Sequence, residues 1–165
     1  MARIFNFAAG PSTLPVETLQ EAAAKMVDFE NTGMSLIEMS NRGKAYYGVH
    51  HETIALIREI LQLPANYHIL FLQGGATLQF GMIPMAFLQQ GMTADYIMTG
   101  AWAKKAYDDA KLIGAVNVPW DGKAEKYSRM PAQSELKLTP GAAYVHLCSN
   151  ETIGGIQWQS FPDTG

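Results

Sequence analysis

At 165 residues, 48% of them hydrophobic and 16% charged, the chain is long and apolar enough to bury one sizeable core. Its formal charge of −3, with lysines and arginines scattered, offers no basic field, which argues against nucleic acid as a partner. A single cysteine, Cys148, excludes an internal disulfide and suits a reducing, cytoplasmic compartment.

The first stretch, "MARIFNFAAGPSTLP", has no apolar h-region and does not read as a secretory signal. "LPVETLQEAAAKMVDFENTG" predicts a helix, with Pro15 suited to its first turn and Gly33 as its stop. "MSLIEMSNRG" reads as a short extended stretch entering a loop. "VHHETIALIREILQL" places Val49, Ile54, Ile57, Ile60 and Leu61 at helical spacing, with Pro64 just past the end.

From there the texture changes. "HILFL" predicts a buried strand, and "TLQFGMIPMAFL" a helix kinked at Pro84, too short and too broken to cross a bilayer. "ADYIMTG", "AVNVPW" and "AAYVHLCSN" predict strands, with a helix over "AWAKKAYDDAKLIG" and a polar stretch over 121–141. Alternating helices and doubly apolar strands indicate an α/β fold with a mainly parallel sheet and helices on both faces. The sequence stops at "FPDTG" with no covering helix after the last strand, so the expectation is an incomplete domain.

Ligands of open α/β sheets collect beyond the carboxyl ends of the strands. "QGGAT", "TGAW" and "CSNETIGG" fall there. Gly74-Gly75 is neither a dinucleotide fingerprint nor a P-loop. It admits plain turn geometry, or a phosphate held by the N–H groups of a helix start, to which the Thr77 hydroxyl would contribute. Trp102 is either core or a face for a flat ligand. Thr152 is either a turn residue or a donor to a ring substituent, and "NET" at 150–152 reads as a chance glycosylation match. Arg42 is either solvated or a planar fork for a carboxylate, with no acidic residue nearer in sequence than Glu38.

Other candidates fail. His50 and His51 are adjacent on a helix and point apart, so no metal site is expected there. Asp108 and Asp109 suit a solvated face, and His146 reads as a satisfied core residue or one that supports the site from behind, rather than as a catalyst.

Together, "FNFAAGPSTLP", "MSNRGK", "FLQGGAT", "ADYIMTGAWAKKA" and "CSNETIGGI" stand in the order and spacing of the phosphoserine aminotransferases. That family lies in the class-V branch of the fold-type-I pyridoxal 5'-phosphate (PLP) enzymes. The resemblance covers the whole chain and corresponds to the N-terminal part of the family's large domain. It implies a helical and loop segment over 1–66, followed by the first part of the PLP-binding domain over 67–165.

By resemblance, Gly75, Ala76 and Thr77 hold the PLP phosphate, Trp102 stacks on the pyridine ring, and Thr152 bonds the phenolic oxygen. Arg42 matches the arginine that binds the substrate carboxylate. Many members carry histidine before that arginine. Here the position is Asn41, which keeps a hydrogen-bond donor but no charge.

The implied reaction transfers an amino group from L-glutamate to 3-phosphohydroxypyruvate, giving phosphoserine and 2-oxoglutarate in serine biosynthesis. A pyridoxine-pathway analogue is a further implied substrate, and a homodimer the implied assembly. None of the eight lysines of this chain matches the family's Schiff-base lysine, so no catalytic residue is assigned here. The competing readings are a small-amino-acid:glyoxylate aminotransferase, a desulfurase, or a non-catalytic nucleotide-binding α/β module. The last is disfavoured by the absence of a G-x-G-x-x-G turn.

Overall fold

The computed structural model describes residues 3–165. The chain divides into two compact units, Met1–Phe71 and Leu72–Gly165.

In the first unit, helix α1 spans Val16–Lys25, with Pro15 at its N-cap, Glu17 in the first turn and Lys25 in the last, each charge matching the helix dipole. It stops well short of Gly33. The chain there is taken over by local polar bonds: the Asp28 carboxylate accepts from Gly33 N at 2.9 Å and the Thr32 hydroxyl donates to Phe29 O at 2.7 Å. Glu30 and Asn31 adopt positive φ of 53° and 60°, which no α-helix accommodates.

The expected extended stretch at 34–43 instead holds a 3₁₀ turn over Leu36–Glu38. Ser35 Oγ accepts from Ile37 N at 3.3 Å, and the Glu38 carboxylate accepts from Ser35 N at 2.9 Å. The S-x-x-E spacing of a capping box overrode the extended reading.

Helix α2 spans Lys44–Ile60, beginning ahead of Val49. Its end is closed by Arg58, whose guanidinium donates to Pro64 O and Tyr67 O, both at 2.7 Å. These bonds satisfy carbonyls that follow the helix and suit a cation at its negative end.

The second unit contains helix α3 (Gly75–Phe87), strand β1 (Thr93–Tyr96), helix α4 (Ala101–Ala110), and strands β2 (Ala115–Asn117) and β3 (Val145–His146). The three strands form a parallel sheet of order β2-β1-β3, pairing Ala94 with Val116 and Tyr96 with His146. A parallel sheet reached through helical crossovers is what the alternating pattern requires.

"HILFL" departs from that pattern. Among the described residues, 68–72 pair with no strand, and Leu70, Phe71 and Leu72 are 72%, 53% and 54% exposed. A β-strand exists only through its neighbours' hydrogen bonds, which composition does not supply. Pro84 also sits inside α3, buried, and the helix continues past it to Phe87.

The core gathers Leu88, Ala94, Tyr96, Ala106 and Ala110, with Phe80, Tyr107 and Val116 packed against it. Ala103, Ala106 and Ala110 share one face of α4, so this helix lies close on its neighbours. Beneath β1, the buried Asp95 carboxylate accepts from Asn117 Nδ2 at 2.9 Å, Thr139 N at 2.6 Å and Thr139 Oγ1 at 2.7 Å. That tie explains how a charged residue occupies a strand centre.

Within the stretch 121–141, Arg129 bonds Glu135 at 2.7 Å and also reaches Glu125. A two-stranded antiparallel hairpin follows, β4 (Asn150–Glu151) and β5 (Ile156–Gln157), turning through Gly155 at φ 73°. The strand expected over 142–150 is confined to Val145–His146, and Asn150 joins the hairpin instead.

Candidate functional site

At the start of α3 the N-cap is Gly74, at φ 88° and ψ 0°, followed by Gly75 at φ 60°. Both angles lie in the left-handed region that glycine adopts without strain. Gly74 also faces Leu78, whose side chain would overlap any Cβ placed there, whereas a Cβ at Gly75 would enter open space. A glycine N-cap contributes no side-chain acceptor. The first-turn N–H groups, including those of Ala76 and Thr77, therefore supply donors at the positive end of a 13-residue helix, the arrangement that suits an anion.

Helix α4 starts differently. Its N-cap is Gly100, and its first turn is capped from β4 by Glu151. The Glu151 carboxylate accepts from Trp102 N and Ala103 N, each at 2.9 Å, and from the Thr99 hydroxyl at 3.2 Å. It is 1% exposed. Sequence reasoning passed over Glu151 as part of a chance sequon. The available signal was a helix opening on Thr99-Gly100 with no N-capping side chain next to it, so an acceptor had to come from elsewhere.

The Trp102 indole donates from Nε1 to Thr152 Oγ1 at 2.8 Å. Indole N–H is donor only, so Thr152 accepts and its own hydroxyl hydrogen is free to donate outward. Two residues singled out from sequence, fifty positions apart, thus touch each other at the carboxyl end of the sheet. Both reach the surface: Thr152 is exposed and Trp102 half-buried. Lys105 lies 5.9 Å from the indole centroid.

Behind this surface, His146 stacks on Tyr96 with centroids 4.8 Å apart, and Phe80 meets it edge-on. Among the described residues its buried Nδ1 has no hydrogen-bond partner, contrary to the expectation of a satisfied histidine. Burial lowers its pKa to about 4, against a smaller opposing effect of Glu151, so the ring is neutral at physiological pH. Burial, reinforced by the negative charge of Glu151, pushes the Cys148 thiol up to about 11 and removes it as a nucleophile.

Arg42 lies in the first unit, in the turn between the 3₁₀ element and α2, and is exposed. Its backbone N–H donates to Ser40 Oγ at 3.2 Å. Glu38, the acidic residue nearest in sequence, is engaged with Ser35 N. Among the described residues no ion pair involves Arg42. No group of three or more His, Cys, Asp or Glu side chains is disposed to hold a metal ion among the described residues. No described helix is long and apolar enough to cross a membrane.

Residues 4–165 match the class-V aminotransferase family. The chain belongs to that family. Class-V relatives include phosphoserine aminotransferases from Niallia circulans, 52% identical over 99% of this chain, and from Arabidopsis thaliana (the chloroplastic enzyme 1), 44% identical over 97%. The solved phosphoserine aminotransferase of Bacillus circulans subsp. alkalophilus superposes with a TM-score of 0.94 at 52% identity over 99% of this chain. The PLP-bound enzyme of Trichomonas vaginalis superposes at 0.90 with 43% identity over 99%. The chain spans 45% of the N. circulans relative, 37% of the A. thaliana relative, and 45% and 49% of the two solved chains. This family kinship also establishes the fold as the N-terminal part of the phosphoserine aminotransferase architecture.

Proposed function

We propose that this chain is the cofactor-cradling part of a PLP-dependent aminotransferase that moves the amino group of L-glutamate to 3-phosphohydroxypyruvate. The observation that carries this reading is the Trp102–Thr152 contact. A half-buried indole that reaches the surface is locked to an exposed hydroxyl whose hydrogen remains free, an arrangement that suits a flat aromatic ring bearing an oxygen substituent. The names of the relatives and the uncapped α3 terminus support it.

In this reading the first-turn donors of Gly75, Ala76 and Thr77 hold the phosphate, where backbone N–H groups and the helix dipole both favour negative charge. Trp102 covers one face of the ring, fixing its tilt and excluding water from that side. Thr152 donates to the ring oxygen. The exposed Arg42 fork takes the carboxylate common to both substrates, a bidentate match that lysine cannot reproduce. Asn41 beside it contributes a neutral donor toward substrate. Bound PLP supplies the electron sink for the proton shift, while the protein supplies orientation and proton transfer. The lysine that carries the cofactor in this reading is outside these 165 residues. The assembly proposed is a cytoplasmic homodimer.

The test uses the full-length protein, PLP and L-glutamate, with the cofactor's absorption followed before and after 3-phosphohydroxypyruvate is added. Conversion by glutamate and return by 3-phosphohydroxypyruvate is expected. Return only by glyoxylate, or reaction only with cysteine, would assign the chain to another class-V activity. Trp102→Ala should weaken PLP by about 1–3 kcal/mol, whereas Trp102→Phe keeps most of the affinity. Arg42→Lys should slow the glutamate half-reaction and leave PLP binding unchanged.

A further inference from the structure

The carboxylate that caps α4 comes from a residue next to Thr152 in sequence. Glu151 holds the backbone of Trp102 at 2.9 Å, the indole of Trp102 holds the hydroxyl of Thr152 at 2.8 Å, and Thr152 follows Glu151 directly. These links close a ring, so one buried side chain fixes both ends of the indole–hydroxyl contact. The Glu151 charge is met by oriented donors and a helix terminus. Among the described residues no cation pairs with it.

Gly100 belongs to the same device. Its φ of 166° is ordinary extended backbone, so its conformation does not demand glycine. A Cβ at this position would lie 2.6 Å from Glu151 Cδ and 2.8 Å from Oε2. The absent side chain is what admits the carboxylate to the helix terminus.

We propose that Glu151 is a positioning residue. By clamping the first turn of α4 from β4, it sets the plane of the Trp102 indole and the direction of the Thr152 hydroxyl, and thereby the face offered to the cofactor ring. The last step rests on the PLP reading above; the clamp does not. A cap that served only helix stability would leave the indole where it is when the helix still forms.

The experiment separates these roles in the full-length protein labelled with 5-fluorotryptophan. Trp102, Trp120 and Trp158 each give a fluorine resonance, picked out of the full-length spectrum by single replacements with phenylalanine. Glu151→Gln replaces one acceptor oxygen by a donor facing N–H groups, and Gly100→Ala displaces the carboxylate while keeping it. In the cofactor-free protein, both should shift or broaden the Trp102 resonance while the Trp120 resonance stays. In titrations with PLP, both should raise Kd by about tenfold or more, as expected when a site loosens on the order of 1 Å.

An unmoved Trp102 resonance in both variants overturns the clamp. A moved resonance with Kd within about twofold of the parent overturns its role toward the cofactor. A parent protein that binds no PLP overturns the functional reading instead, and the cofactor-free resonances still decide the clamp. If Glu151→Gln does not fold, Gly100→Ala, which retains Glu151, decides.

Discussion

The two units treat their helices differently. In the first, α1 and α2 carry apolar residues at helical spacing, yet neither has a buried residue, and Leu19, Leu56 and Ile60 remain 43%, 48% and 74% exposed. In the second, α4 is built largely from alanine and charged residues, and Ala103, Ala106 and Ala110 are 0% exposed. Helical periodicity thus sets where a helix forms, while burial depends on what lies against it. Small residues let α4 approach its sheet closely enough to exclude water, whereas large ones with no layer above them stay at the surface.

Paired substitutions offer the largest test of that contrast. Ala106 packs among Leu88, Tyr96 and Ala110, so Ala106→Leu should cost about 3 kcal/mol by overpacking. Leu56→Ala, at a half-exposed position in a helix, should cost under about 1 kcal/mol, since alanine also favours helix. Urea unfolding of the full-length protein reads both. If Leu56→Ala costs as much as Ala106→Leu, the stripe on α2 is covered in solution and the contrast fails.

The same contrast explains what could be read from the sequence. The parallel sheet around Ala94 and Tyr96 was legible because its strands are short apolar runs separated by helix-period segments. Trp102 and Thr152 were legible as surface candidates because chemistry-bearing residues stand just past strand ends, although only the fold could bring them to 2.8 Å. "HILFL" misled because an apolar run carries no information about whether a partner strand is present. Glu151 was missed because its partners lie some fifty residues away in sequence: the glycine N-cap of α4 signals that an acceptor is needed, but not which distant residue supplies it. The 3₁₀ turn at Leu36–Glu38 was signalled by Ser35 and Glu38 and simply overlooked.

A smaller effect separates the two glycines that open α3. Gly74→Ala should destabilise by about 2 kcal/mol, combining a left-handed φ with the Leu78 side chain in the way. Gly75→Ala meets open space and incurs only the left-handed penalty, about 1 kcal/mol. Thermal unfolding without PLP measures both. Equal costs would mean that Leu78 turns aside freely, leaving backbone conformation as the sole reason for glycine at 74.

The smallest effect is a pH dependence that belongs to the second unit. His146 has its pKa lowered to about 4, chiefly by burial against Tyr96 and Phe80. Between that value and the ordinary histidine range near 6.5, the unfolded chain binds a proton that the folded chain refuses. Stability from this group is therefore complete above the ordinary value and falls as pH drops toward the folded one. From about pH 7.5 to about pH 5.5 the loss should be about 1 kcal/mol, read from unfolding midpoints at the two pH values. His146→Phe keeps an aromatic ring against Tyr96 and removes the titration, so it should flatten that part of the profile. A variant as pH-sensitive as the parent would show that the slope comes from other groups, and that the orphaned Nδ1 has found a proton or a partner in solution.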